Sequence, residues 1–301
     1  MTPPRREELA QRVQQRNISC TSMVVTVFGD VLSQHGGWVW LGSLIDLLGH
    51  LGYNERLVRT AVFRLVQQNW LQVSRVGRRS YYCFTDSGRS QFERAARRVY
   101  SAKVPDWDGN WTLVSPVDVD DEQREIFRKN LIWLGYNTLV NGLLAYPSAD
   151  RSALNETIAD MKLAGKVLVF TATTEEGTSS ELLKKMVREK WNLKELESDF
   201  SEFLAFYRPV AKKLSAISGN GLDQLLLRLV LIHEYRRILL RDPDFPVDML
   251  PSGWVGFEAQ QATSRIYNAL KTNSVDHILQ SMENAQGALP APDKPFFNRF
   301  N

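Results

Sequence analysis

The sequence predicts a mixed α+β chain, mainly helical, in three parts. Three observations predict it. Apolar residues recur at helical spacing through most of the chain. The period changes to two in a short hairpin near residue 75 and again in strands between 111 and 172. A turn-rich segment, Val104 to Asn110, and a wholly helical pattern from about Ser179 divide the chain. With 301 residues there is room for about two domains of ordinary size.

The elements follow in order. Residues 5–16 are charged and Gln-rich and read as a helix or arm. Thr21 and Ser22 can cap a helix from about Met23 to Gln34, and Gly36-Gly37 ends it. A short helix runs from Ser43 to Gly49, then a turn with Gly52. Asn54 is a good N-cap for a helix from Glu55 to Asn69. Leu71, Val73 and Val76, then Gly77-Arg78-Arg79-Ser80, then Tyr81 to Phe84 make a hairpin with glycine at its turn. A helix from Arg89 to Ala102 closes the first part. In the second, a strand (Trp111–Val117), a helix capped by Asp120 or Asp121 and running to Leu134, strands at 137–140 and 143–146, a helix from Ala149 to Met161 and a strand from Lys166 to Ala172 make a small α+β sandwich of the ferredoxin-like type. The third has helices at 180–190, 193–215, 222–240 and 254–286. A segment with Pro243, Pro246 and Pro251 precedes the last helix, and residues 287–301 read as a tail.

Composition excludes several classes. Hydrophobic residues are 44% and charged residues 24%, an ordinary globular balance. Two cysteines 63 positions apart, Cys20 and Cys83, make neither a CxxC metal site nor a disulfide scaffold, and this usage fits the cytoplasm. The most apolar stretch, Leu225 to Ile232, is broken by Arg228, so no membrane span is expected. The basic N-terminus lacks the apolar core of a secretory signal.

Net charge is +3, but it is unevenly spread. Residues 1–103 hold 15 Lys and Arg against 7 Asp and Glu, a balance of +8, and 14 of the 15 are arginines. Residues 104–301 hold 22 against 27, a balance of −5. An arginine-rich first part facing a polyanion explains the asymmetry, and so does a merely solvated basic surface.

Residues 42–84 separate the two readings. Short helix, glycine turn, second helix and hairpin are the parts of a winged helix-turn-helix. In the helix after Asn54, residues Val58, Ala61, Val62, Leu65 and Val66 share one face and read as core. Arg56, Arg59, Thr60 and Phe63 share another. Arginine can bind guanine with two hydrogen bonds, threonine offers a hydroxyl and a methyl, and an aromatic can touch a thymine methyl or turn inward as core. Helix N-termini usually enter the groove, which favours Asn54, Glu55, Arg56, Arg59 and Thr60, with Arg64 further along. On the hairpin, Arg75, Arg78, Arg79, Tyr81 and Tyr82 are placed to meet phosphate or a minor groove.

The stretches Val25–Asp30, Trp40–Ile45, Asn54–Leu65 and Val76–Tyr82 resemble the phenylacetic acid degradation operon repressor family (PaaX). So do His233–Arg237, Arg241–Pro243 and Leu250–Gly256, in the same order, with a departure at Val255 where the family pattern expects proline. The resemblance implies a bacterial transcriptional repressor. It implies a GntR-like winged helix (1–103), a central ferredoxin-like, Cas2-like domain (104–175) and a helical domain for sensing or dimerisation (176–301). It also implies release from operator DNA of a phenylacetate catabolic operon by an aryl-CoA thioester such as phenylacetyl-CoA.

Enzyme readings fare less well. There is no GxSxG elbow, no P-loop glycine spacing before Gly165-Lys166, and no HxxxH pair among His35, His50, His233 and His277. Gly219-Asn220-Gly221 lacks the third glycine of a dinucleotide loop. Asp118, Asp120, Asp121 and Glu122 could hold Mg²⁺ as in a nuclease, or simply cap and complement a helix. A CoA thioester needs cations for phosphate and an apolar place for its ring. Arg236, Arg237, Arg241 and Trp254 are the expected contacts, against the alternative that the arginines stabilise a helix C-terminus.

The reading is therefore a non-enzymatic, DNA-binding repressor with no resident cofactor or metal. Its partners are double-stranded operator DNA, an acyl-CoA effector and a second copy of itself. It works in the bacterial cytoplasm at the nucleoid and meets no membrane. A metal-dependent nuclease with a DNA-targeting winged helix and a protein-binding winged helix are the alternatives.

Overall fold

The structure is a computed structural model that describes residues 4–100, 107–147, 151–214, 220–242, 245 and 247–300. The expected boundary at 103/104, the expected helix limits at Ala102, Ala149 and Ser215, and Pro243, Asp244 and Pro246 lie outside the described residues.

Along the chain the first elements are α1 (Arg6–Gln15), α2 (Cys20–Asp30), β1 (Val39–Trp40), α3 (Leu41–Gly49) and α4 (Glu55–Gln67). Helix α2 starts three residues earlier than predicted, because the Ser19 hydroxyl accepts from the Ser22 amide at 3.2 Å. Strands β2 (Leu71–Val76) and β3 (Arg79–Phe84) form the hairpin, and α5 (Asp86–Val99) follows. Helix α5 also begins three residues earlier than predicted. The Thr85 hydroxyl accepts from the Gly88 amide at 3.0 Å, and Gly88 leaves room for the Trp70 carbonyl, which a Cβ there would meet at 2.3 Å.

Next come β4 (Asn110–Ser115), α6 (Asp121–Trp133), β5 (Asn137–Val140), β6 (Leu143–Tyr146), α7 (Ser152–Asp160) and β7 (Leu168–Thr173). Helices α8 (Glu176–Lys190), α9 (Leu193–Lys212), α10 (Gly221–Leu239) and α11 (Val255–Ser281) make the helical remainder. The predicted helix over 254–286 stops at Ser281. A small hairpin, β8 (Glu283–Asn284) with β9 (Gly287–Ala288), and a short helix α12 (Lys294–Phe297) follow it. The predicted tail is therefore structured, and Leu289, Phe296, Arg299 and Phe300 are buried.

Contacts group the chain into two compact units. The first holds Met1–Ala102, Glu202–Arg237 and Phe257–Asn301, and the second holds Lys103–Ser201 and Ile238–Gly256.

In the first unit, α2, α3, α4 and the three-stranded sheet β1-β3-β2 form the winged-helix arrangement. Val58, Ala61, Val62 and Leu65 of α4 are buried, as their helical spacing predicts. A polar knot lies inside this unit. Asp30 is wholly buried, and its carboxylate accepts from Arg228 Nε (2.8 Å), Tyr100 Oη (2.7 Å), Tyr267 Oη (3.0 Å) and Arg299 Nη1 (3.1 Å). Burial alone pushes the Asp30 carboxyl up. The Arg228 and Arg299 charges with the Tyr100 hydroxyl outweigh it and hold the group below its ordinary value.

A second buried pair in this unit predicts a pH effect. His233 Nδ1 lies 3.0 Å from the Thr26 hydroxyl. Burial, with the nearby charges of Arg236 and Arg237, pushes the His233 pKa from 6.5 down to about 3. The folded value lies below the unfolded one, so the unfolded chain takes up the proton first. The stabilisation is complete above the unfolded value and is lost as pH falls toward the folded one. Urea unfolding should lose about 2 kcal/mol through this group between roughly pH 7 and pH 5. The decline should be shallower in His233→Gln.

In the second unit the sheet order is β5-β6-β4-β7, with every neighbouring pair antiparallel. Together with α6 and α7 this is the ferredoxin-like βαββαβ arrangement the strand–helix pattern predicts. Val114, Phe127, Leu131, Leu144, Leu154 and Leu163 form its core. Asp120 caps α6 by accepting from the Gln123 amide at 2.9 Å.

Candidate nucleic-acid interface

The candidate interface is built on α4 and the β2–β3 hairpin. Asn54 is extended (φ −73°, ψ 161°), and its side-chain oxygen accepts from the Leu57 amide at 2.9 Å. That cap fixes the start of α4 and leaves its first turn in solvent. Glu55, Arg56, Arg59, Thr60 and Arg64 are all exposed there. Phe63, for which contact and core were both open, is 63% exposed and shares the Arg56–Arg59 face. Leu57, in the first turn of the same helix, is 48% exposed.

Three of these side chains are already engaged. Arg59 pairs with Glu55 at 2.7 Å, and the Thr60 hydroxyl donates to the Arg56 carbonyl at 2.8 Å. Both engagements are at the surface, where water or a ligand can replace them.

In the hairpin, Val76 pairs with Arg79, so Gly77 and Arg78 alone make the turn. Gly77 has φ +60°, which suits the first central position of a two-residue hairpin loop. The turn exposes Arg75 and Arg78, with Val73 and Val76 beside them. Arg79 is half exposed, pairs with Glu283 at 2.9 Å and lies over the Trp40 ring at 4.3 Å.

Tyr81 is a correction. It is 5% exposed and faces inward on the same side of β3 as Cys83, while Tyr82 is half-buried on the other. Strand alternation gives Tyr81 to the core and removes it from the exposed set.

The basic charge of the N-terminal third is also sorted. Arg6 and Arg12 of α1, and Arg16 just past its end, pair with Asp223, Glu234 and Glu202. Arg56, Arg64, Arg75 and Arg78 have no ion-pair partner among the described residues. Arg5 and Arg89 are also exposed without an ion-pair partner, so four of the six such arginines among the described residues lie on α4 and the hairpin. Sequence reading missed Leu57, Trp40 and Glu283 as parts of this surface.

The expected effector residues fall in different units. In the first unit, Arg236 is buried and donates to the Ser22 carbonyl at 3.5 Å, and exposed Arg237 donates to the Arg16 carbonyl at 3.2 Å. In the second, Arg241 holds Glu195 (3.0 Å) and Asp199 (2.6 Å), and buried Trp254 meets Phe200 edge-on at 6.0 Å. Of the acidic set, Asp120 caps α6, Asp121 pairs with Arg124 at 3.0 Å and Asp118 is exposed. No group of three His, Cys, Asp or Glu able to hold a metal occurs among the described residues, nor does any described helix have the length and apolarity to cross a membrane.

A helix-turn-helix followed by an arginine-bearing hairpin places the chain in the class of winged-helix proteins. Three family models match it in order: PaaX-like protein over residues 19–88, PaaX protein central Cas2-like domain over 104–183, and PaaX-like protein C-terminal domain over 191–280. The chain belongs to the PaaX-like protein family. It is 36% identical over 285 residues to the transcriptional repressor PaaX of Escherichia coli (strain K12), covering 94% of this chain and 90% of that one. In fold it is similar to the uncharacterized protein Rv0674 from Mycobacterium tuberculosis. That likeness has TM-score 0.53 and 21% identity, over 85% of this chain and 97% of the other.

Proposed function

We propose that the chain is a DNA-binding transcriptional repressor of an aromatic-acid, phenylacetate-type catabolic operon, released from its operator by an aryl-CoA thioester such as phenylacetyl-CoA. The observation that carries the DNA contact is the set of unpaired, exposed arginines on α4 and the hairpin: Arg56, Arg64, Arg75 and Arg78. The near full-length likeness to a transcriptional repressor supports the regulatory role. In this reading residues 1–103 bind DNA, 104–175 form the central module, and 176–301 sense the effector or dimerise. Arg236, Arg237, Arg241 and Trp254 remain the proposed effector contacts.

The protein binds as a homodimer, one winged helix per half-site. Release is a population shift: the thioester binds the DNA-incompetent arrangement better than the competent one. No catalytic step, resident cofactor or membrane is involved.

Gel-shift binding to the DNA upstream of the chain's own gene cluster tests this, with phenylacetyl-CoA and free phenylacetate added separately. Specific binding released by the thioester alone is the expected result. Affinity should also fall with salt, with a log–log slope of about −0.9 per neutralised phosphate. Absence of duplex binding even at low salt would move the protein-binding alternative ahead.

A further inference from the structure

Arg79 stands apart from the other arginines of the hairpin, because its charge is already answered. Its Nη1 donates to the Glu283 carboxylate at 2.9 Å, and its guanidinium lies 4.3 Å from the Trp40 ring centre. Arg79 and Glu283 are 50% and 47% exposed, so a third group can reach both.

Glu283 does not depend on Arg79 for its place. Its backbone amide donates to the hydroxyl of buried Ser43 in the first turn of α3, at 3.1 Å. It pairs with Ala288 across the β8–β9 hairpin. Further along, the Pro290 carbonyl lies 2.7 Å from His35 Nδ1, and the Asp293 amide donates to the Gln34 carbonyl at 2.9 Å. The segment after α11 is thus strapped, through its own main chain, to Gln34, His35 and Ser43, and it carries a carboxylate to the hairpin.

A carboxylate oxygen and a phosphate oxygen bind the same face of a guanidinium. We propose that Glu283 is a built-in brake on DNA binding: it occupies Arg79 in place of a backbone phosphate and sets a negative charge beside the wing. On duplex DNA the Arg79 guanidinium exchanges Glu283 for phosphate. Because Glu283 lies two residues past the end of α11, any shift of that helix end moves the carboxylate and changes how much positive charge the wing offers. This rests on the DNA-binding reading above and adds a residue to it from outside the winged helix.

The test measures binding of the full chain to a labelled random-sequence duplex across a salt series. Wild type, Glu283→Gln, Arg79→Ala and the double variant are compared, with thermal melts to show that all are folded. Glu283→Gln should bind about two- to fivefold tighter, in keeping with the small worth of an exposed ion pair. Its salt slope should stay close to that of wild type, because Arg79 meets the same phosphate in both. The gain should shrink when Arg79 is absent. Glu283→Gln binding no tighter than wild type, or gaining equally without Arg79, overturns the brake and leaves the DNA-binding reading standing. A wild-type chain without salt-sensitive duplex binding overturns that reading, and the brake with it.

Discussion

Asp30→Ala should destabilise the first unit by about 3–5 kcal/mol, the usual penalty for stranding buried charge. Arg228 is wholly buried, Arg299 is 8% exposed, and both aim at this one carboxylate. Removing it leaves two guanidinium ions in a low-dielectric interior. Among the described residues they would keep only the main-chain carbonyls of positions 29 and 30 and the Tyr267 hydroxyl as acceptors. Arg228→Met should cost less. Asp30 would still hold Arg299 and the Tyr100 and Tyr267 hydroxyls, and a thioether fills much of the vacated stem. Urea unfolding of the two variants beside wild type checks the order. Equal losses would mean that the knot contributes packing and little electrostatics.

Arg56→Ala should weaken operator binding by about 1–3 kcal/mol and relax base preference at one position. Arg56 is in the first turn of α4, exposed, with no ion-pair partner among the described residues. Arg59→Ala should relax preference too, but by less, because Arg59 must first exchange Glu55 at 2.7 Å for a base edge. Arg78→Ala, at the hairpin turn, should weaken operator and random duplex evenly, as a phosphate contact does. The deciding quantity is the ratio of operator to random-duplex affinity at one salt concentration. If that ratio is unchanged in Arg56→Ala and in Arg59→Ala, α4 does not read bases.

The winged helix was legible because each of its signals is local. The Asn54 cap, the two faces of α4 and the glycine hairpin all lie within about thirty residues, and each appears in place. The ferredoxin-like unit was legible for the same reason, since its strand pairing follows from βαββαβ order. Tyr81 was misread because arginine-rich surroundings were weighed above strand parity with Cys83. The two-residue strand β1 is too short to show a period.

The segment 287–301 was misread for a deeper reason. Its buried members Arg299 and Phe300 meet Asp30, Tyr100 and Tyr267, which lie far away in sequence. No periodicity joins such residues. A weaker signal was present, however. Asp30 ends an apolar helix and Arg228 interrupts the most apolar stretch of the chain, and two opposite charges in such settings are natural partners. The charge asymmetry was half legible. The sum over residues 1–103 is right, but composition cannot tell Arg6, Arg12 and Arg16, spent on Asp223, Glu234 and Glu202, from the arginines left free on α4.

The spacing of the Asp30 knot also bears on how the chain is made. Arg228 follows Asp30 by 198 residues and Arg299 by 269. During synthesis at about 5–20 residues per second, the helix carrying Asp30 leaves the ribosome many seconds before its cations do. The contiguous stretch Lys103–Ser201 of the second unit is complete long before that. The nascent winged helix therefore waits with an unmatched acid on an apolar helix, a segment suited to chaperone capture. Its final closure is timed by the emergence of residue 299 and not by the end of the winged helix's own sequence.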